Sequence, residues 1–438
     1  ITVTVTPVSL AGAEVTVQSP TYNGKLQEPK VTVKLGDKTL SRDNDYSVQV
    51  TKQTDAGSYT LTVNGNGNYS GKIENVEWKI EPMKIDHVEV SSDISKTYDG
   101  TATVTKTAEE WAEVLTFKTL SAYDVVSVPS DAYTISDAYF VEKSGEETVH
   151  SPDAGEKYGI TFKIALKSSN YILQTYGEDT PSTSKEITQS GGATFTIKQA
   201  TVTSPGEITQ LVFNDLAKTY EIDLNQVLDT ILPAGGTYGD IQYGKPSVLM
   251  DSAYYPVGGA TIGNGKLSLS INKAASIKQG DEIGTVTVKV ETTNYQPFTL
   301  TIHVSAQDKL VPVLAEGNTV SATDITYGQA LADSKLAVNG TMQDPTTGNA
   351  VNGTFTWTDG KIKPAANDSY EAEWTFTPDA PEYATVTGKA TVKVKPAKLT
   401  VSVEASRMCY TGEEQIASIT ASGQSVDSTP VTFTYSDK

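Results

Sequence analysis

Residues 56–80 read AGSYTLTVNGNGNYSGKIENVEWKI, and the way this stretch is punctuated decides the fold. Residues 59–63 (YTLTV) alternate in polarity, so an extended segment sets one face in a core and the other in water. Asn64-Gly65-Asn66-Gly67-Asn68 then supplies residues that accept the positive φ of a tight reversal. Asn68-Tyr69 leads into a last alternating run that ends at Ile80. The same period of two recurs at 31–35 (VTVKL), 194–197 (TFTI), 285–290 (TVTVKV), 299–304 (TLTIHV), 390–394 (ATVKV) and 399–403 (LTVSV). Asp99-Gly100, Asn264-Gly265, Asn352-Gly353 and Asp359-Gly360 stand between such runs as turns. Short strands and tight turns in this rhythm predict an all-β protein.

Two segments break the rhythm. Thr107-Ala108-Glu109-Glu110 reads as a capping box, with Trp111, Val114 and Leu115 behind it at helical spacing. Asp223 can cap a second helix carrying Leu224, Val227, Leu228, Ile231 and Leu232, which Pro233 ends. Both read as insertions packed against a sheet.

A pair of marks recurs along the chain, one opening each unit and one near its close. The openers are Tyr22-Asn23-Gly24, Tyr98-Asp99-Gly100, the variant Lys218-Thr219-Tyr220, Tyr327-Gly328 and Tyr410-Thr411-Gly412. The closers are Asn68-Tyr69, Asn170-Tyr171, Asn294-Tyr295 and the variant Glu382-Tyr383, each followed by an alternating strand. Those strands run into polar joints of a few residues, such as Ile80-Glu81-Pro82-Met83-Lys84 and Val394-Lys395-Pro396-Ala397-Lys398, with no long Gly/Ser linker. Short joints leave consecutive units little freedom and predict a semi-rigid rod. The units fall at 1–82, 83–199, 200–306, 307–396 and 397–438, the last lacking its closer. Their strand number and spacing fit a two-sheet sandwich of immunoglobulin type without the Cys and Trp hallmark. The expected fold is therefore tandem immunoglobulin-like β-sandwich domains in an extended array, with short helical insertions in the second and third.

Composition narrows the function classes. The 34 basic and 53 acidic side chains leave a formal charge of −19, and the only arginines are Arg42 and Arg407. That is the wrong sign and the wrong residue for gripping phosphates, which excludes nucleic acid as a partner. No run approaches the roughly 18 apolar residues of a membrane-spanning helix. The N-terminal ITVTVTPV alternates like a strand, where a secretion signal would be basic and then apolar. Cys409 is the single cysteine, so it cannot close an internal disulfide or anchor a zinc site without clustered partners. A disulfide-free, acidic, Thr-rich chain fits a bacterial surface protein, secreted or wall-attached, better than an animal ectodomain. A monomer is expected, with no membrane insertion.

At its openers and closers the chain resembles the tandem Ig-like repeats of Gram-positive and gut bacterial surface proteins. The second unit, through Lys96-Thr97-Tyr98-Asp99-Gly100 and Asn170-Tyr171, resembles repeats of the YDG type. The first, through Tyr22-Asn23-Gly24, Asp45-Tyr46, Ala56-Gly57-Ser58-Tyr59 and Gly67-Asn68-Tyr69, resembles the related MBG type. The fourth does so more loosely through Tyr327-Gly328, Trp374-Thr375-Phe376 and Glu382-Tyr383, and the third departs because the opener glycine is replaced. The resemblance implies repeats that serve as stalk or adhesive modules.

The search for chemistry returns little. His87, His150 and His303 fall in different units or at a unit edge, which gives no base and nucleophile within reach. His303 alternates with Ile302 and Val304 and reads as a surface strand residue. Zinc-protease, phosphate-loop and nucleophile-elbow motifs are absent. Cys409, between Met408 and Tyr410, reads as a buried structural thiol. Asp43-Asn44-Asp45 places oxygen ligands at alternate positions, a calcium loop or an ordinary turn. Tyr254-Tyr255, on one strand, would point to opposite faces and leave one ring for stacking on a sugar. A Lys to Asn or Asp isopeptide staple is compatible with the class, with no triad marked. No catalytic, cofactor-binding or metal-binding residue is therefore assigned, no cofactor is expected, and the ligand-binding residues are unknown. The expected function is a non-enzymatic cell-surface stalk or adhesin-like array that meets a host or environmental glycan or protein. The alternative is a carbohydrate-binding or accessory region of a larger secreted glycan-active protein.

Overall fold

The computed structural model describes residues 3–119, 124–175, 177, 180–273, 276–399, 401–405, 409–413 and 419–423. Strands dominate throughout, and the chain is an all-β series of immunoglobulin-like sandwiches with short helices. In the first, strands Glu14–Gln18, Lys30–Leu35 and Lys38–Thr39 form one sheet, and Tyr46–Gln49, Gly57–Gly65 and Lys72–Ile80 form the other. Alternation delivers Val31 and Val33 from one sheet and Leu61, Val63, Trp78 and Ile80 from the other into one core, closed by Leu10, Leu40 and Tyr46. The Tyr46 hydroxyl donates to the Val31 carbonyl at 2.9 Å, so the ring is buried without an orphaned polar group.

Among the described residues the second repeat has two four-stranded sheets and a three-stranded one. Its core is aromatic, with Tyr133, Phe140, Phe162 and Phe195 fully buried. The predicted capping box is present: Thr107 Oγ1 accepts from the Glu110 amide at 3.2 Å, and Glu110 Oε2 accepts from the Thr107 amide at 2.7 Å. Helix Ala108–Val114 lays Trp111 on Phe162, ring centroids 5.7 Å apart. Leu115, expected on this helix, instead opens strand Leu115–Thr119, because its partner Val90 offers a ladder that outcompetes another helical residue. The third repeat carries helix Leu224–Ile231, whose first turn is capped by Asp223 Oδ1 on the amides of Asn225 (3.1 Å) and Gln226 (3.2 Å). In the fourth, the long hairpin Asn367–Pro378 and Val386–Lys395 sets Trp374, Phe376, Ala390 and Val392 into its cores. Val401–Ala405 pairs with Ile419–Gly423 at the start of the last repeat.

The chain divides into two compact units, 1–205 with 228–244 and 289–299, and 206–227 with 245–288 and 300–438, so the division runs through the third repeat.

One register recurs at the repeat ends. Val8, Met83, Ala200 and Leu310 pair in parallel with Tyr69, Tyr171, Tyr295 and Tyr383. Each of the four donates its amide to the carbonyl before that tyrosine, on Asn68, Asn170, Asn294 and Glu382, at 2.8–3.0 Å. The opener amides of Tyr22, Tyr98 and Tyr327 likewise donate, each at 2.8 Å, to the carbonyls of Glu81, Lys198 and Lys395. In the third repeat that position belongs to Asn214, which donates to Gln307 at 2.9 Å. The match of Lys218-Thr219-Tyr220 to an opener is thus corrected. Those residues lie on strand Lys218–Asp223, antiparallel to Lys266–Ile271, with the Tyr220 hydroxyl accepting from the Phe213 amide.

Candidate functional site at the repeat joints

The Asn-Tyr closers are not isolated core residues. Asn170-Tyr171 and Asn294-Tyr295 each reach across a joint to the repeat before. At the first joint the Asn170 side chain bridges a turn of the first repeat, its Oδ1 accepting from the Ala56 amide at 2.7 Å and its Nδ2 donating to Asp55 Oδ1 at 3.0 Å. Tyr171 stands edge-on to the opener Tyr22, centroids 5.4 Å apart at 77°. Burial, and next the Tyr22 hydroxyl, push the Tyr171 phenol up to about 12, so it stays a neutral donor.

The second joint repeats the pattern with different residues. Asn294 Oδ1 accepts from the Ala154 amide at 2.7 Å and Nδ2 donates to Asp153 Oδ1 at 2.9 Å. Tyr295 meets Tyr98 edge-on, centroids 5.5 Å apart at 75°. Here the latch is tighter: Asn294 is fully buried, its second amide hydrogen goes to the Thr237 carbonyl at 3.0 Å, and the Thr237 amide donates to the Tyr98 hydroxyl at 2.9 Å. Gly100 follows from the same closeness. Its φ is +81°, and a Cβ there would collide with the carbonyl oxygen of Gly235.

At the third joint the amide is replaced by charge. Glu382, at the closer position, takes an ion pair of 2.5 Å from Lys218, whose ammonium also lies over the Phe213 and Tyr220 rings. The Lys218 hydrogen bond first, and the backbone amide of Glu382 second, hold the Glu382 carboxyl below its ordinary range. Tyr383 turns inward to donate to Asp344 Oδ2 at 2.7 Å.

What this arrangement can do is mechanical. Each of the first two joints combines a parallel main-chain register, one bidentate amide and one aromatic edge contact, which fixes a hinge that backbone pairing alone would leave free.

The candidates singled out in the sequence lie apart from one another. His303 sits on strand Phe298–Gln307 with Nδ1 3.0 Å from Glu282 Oε1, and His150 stacks on Tyr139 with centroids 4.0 Å apart. His87 pairs with the adjacent Asp86. Cys409 is exposed, which corrects its reading as a buried thiol; it lies between described strands and not on one. Asp43-Asn44-Asp45 is folded as a turn: Asp43 has φ +72°, and Asp45 Oδ2 accepts from the Ser41 amide at 2.9 Å. Tyr254-Tyr255 lies in a turn and not on a strand, which corrects their placement; both are half-buried, and the Tyr255 hydroxyl accepts from the Ala260 amide at 3.0 Å. Buried Lys157 is engaged by Glu142 Oε1 (3.0 Å) and Ser151 Oγ (3.1 Å). Among the described residues no group of three or more His, Cys, Asp or Glu is placed to hold a metal ion, and no helix is long and apolar enough to cross a membrane. A groove of about 480 Å³ opens beside the first joint, lined by Thr21, Glu81, Pro82, Met83, Lys84, Thr119 and Ile172.

Of the turn residues that receive the latch, the sequence reading names Ala56 but not Asp55, Asp153 or Ala154. Their signal was present as Asp-Ala-Gly at 55–57 and again at 153–155, before the same kind of strand.

No family model matches the chain, and no curated protein matches it. Solved structures do. The immunoglobulin domains 1–5 of Sidekick-1 match at 12% identity and TM-score 0.22, over 89% of this chain and 78% of that one. Extracellular cadherin domains 3–6 of protocadherin gamma B2 match at 10% identity and TM-score 0.23, over 90% and 99%. Mouse cadherin-23 EC22–24 matches at 13% identity and TM-score 0.16, over 61% and 86%. TM-scores of this size carry no functional reading.

Proposed function

We propose that the chain is a non-enzymatic spacer of a bacterial cell surface, an array of immunoglobulin-like modules of the YDG and MBG type that holds a binding region away from the wall. The observation that carries this reading is the latch made twice with the same chemistry, Asn170 on Asp55 and Ala56, and Asn294 on Asp153 and Ala154. Module ends that elsewhere present loops to ligands are here spent on their neighbours. The acidic surface, at −19 formal charge, adds repulsion between chains and keeps them apart.

The test is display. The chain is placed between a wall anchor and an epitope on a bacterial surface, and access of a bulky antibody to the epitope is measured. Increased access relative to the epitope on the anchor alone, with no saturable binding of the chain to glycan arrays or matrix proteins, is the expected result. Saturable glycan binding would replace this reading with the accessory-module one.

A further inference from the structure

In each of the first four repeats an early segment runs parallel to the strand that closes the repeat, and the length of that pairing differs. Among the described residues the first repeat has one bridge, Thr21 with Glu81. The second pairs Ile94–Thr97 with Phe195–Lys198, and the fourth pairs Ile325–Thr326 with Val394–Lys395. The third pairs Glu207–Phe213 with Thr301–Gln307, seven residues on each side. Each pairing ends on the amide-to-carbonyl bond already described, made by Tyr22, Tyr98, Asn214 or Tyr327. The third repeat thus departs from the opener pattern where this pairing is longest.

A parallel pair has a definite response to tension. The chain enters through one strand and leaves through the other, so pulling on both ends drives the two strands past each other. The evenly spaced ladder bonds between them then resist together, and more paired residues resist more. In the third repeat Val212 and Phe213 on one strand and Ile302, Val304 and Ala306 on the other are buried, which keeps water from replacing those bonds.

We propose that these pairings are shear clamps of graded length, and that under tension along the chain the third repeat is the last to unfold. The second gives way before it, and the first and fourth before both. The short clamps let the chain lengthen under a pull, while the long one keeps part of it folded. This order rests on strand register alone, so glycan binding by the chain would remove the spacer function and leave the order intact.

Parity locates the clamp bonds. The Gly206 carbonyl accepts from the Thr301 amide at 3.1 Å, and the Asn214 amide donates to the Gln307 carbonyl at 2.9 Å. Every second residue of a strand bonds a given neighbour, so Ile208, Gln210 and Val212 turn their amides to the clamp and Thr209 and Leu211 turn theirs away. Glu207–Phe213 is the outer strand of its sheet, so a proline at Thr209 removes no ladder bond.

The test pulls the full chain from its two ends in a single-molecule force experiment. At about 3.6 Å per residue, 83–198 and 200–307 release about 40 nm each, and 8–81 and 310–395 about 25–30 nm. An insertion of about 20 Gly/Ser residues after the exposed Gly145 adds about 7 nm to the second repeat alone and so separates the two long steps. The expected order is the two short steps, then the lengthened long step, and last the step of about 40 nm from the third repeat. Gln210→Pro should move the third repeat's step ahead of the second's and shorten its lifetime at constant force roughly tenfold or more. Thr209→Pro should keep the order of the parent chain. A third-repeat step that precedes the second's in the parent would overturn the ranking. Equal loss of lifetime in Gln210→Pro and Thr209→Pro would overturn the clamp, and where a variant fails to fold the order in the parent decides.

Discussion

Asn294 concentrates the logic of the joints in one side chain. Its carboxamide is fully buried and presents a donor to Asp153 and an acceptor to Ala154, which neither Asp nor Leu of similar size can do at once. Asn294→Ala is expected to cost roughly 1–3 kcal/mol, the penalty for leaving buried partners unsatisfied, read as a drop in the denaturant midpoint. Asn294→Asp should cost more, because a carboxylate would face Asp153. Asn170→Ala, at the half-buried first joint, should cost less. Gly100→Ala combines a left-handed φ with a collision against Gly235, and a loss of at least about 1 kcal/mol is expected in the same assay. The tyrosines and glycines of this site were legible in the sequence because local backbone geometry demands them at fixed spacing. Asp55 and Asp153 were not, since their partners lie 115 and 141 residues away and only the repetition of Asp-Ala-Gly, not anything within either turn, distinguishes them from turn aspartates.

Among the elements, helix Ala108–Val114 depends on its capping box, so Thr107→Ala should lower stability by about 1 kcal/mol in thermal unfolding. The third joint answers to pH. Glu382 titrates below its ordinary 4.5 when folded, so its pairing with Lys218 stabilises fully above that value and is lost as pH falls through the lower folded one. Both side chains remain more than a quarter exposed, which limits the effect to under about 1 kcal/mol. Glu382→Gln should remove this part of the acid sensitivity, seen as a smaller shift in unfolding midpoint between pH 6 and pH 3. Strands and caps were readable here because alternation and capping are local rules. Leu115 and Tyr254-Tyr255 were misplaced because sheet pairing with Val90, and a turn closed by Tyr255 on Ala260, are tertiary choices that period counting does not see.

For the whole chain, the latches use only protein groups, amide to carboxylate and ring to ring. Adding a strong calcium chelator should therefore leave the thermal unfolding profile unchanged, and a fall in midpoint would point to a cation at the Asp43-Asn44-Asp45 turn after all. The all-β repeated architecture was legible from turns and alternation, while the partition of the chain through its third repeat was not, because it depends on which ends pack together. The two kinds of joint also set rules for rearrangement. Repeats joined by the Asn amide and Asp-Ala-Gly turn share one interchangeable connector, so duplicating or deleting such a unit restores the same fit on both sides. The Lys218 and Glu382 connector is keyed differently, and a repeat moved across it would meet a lock without its key.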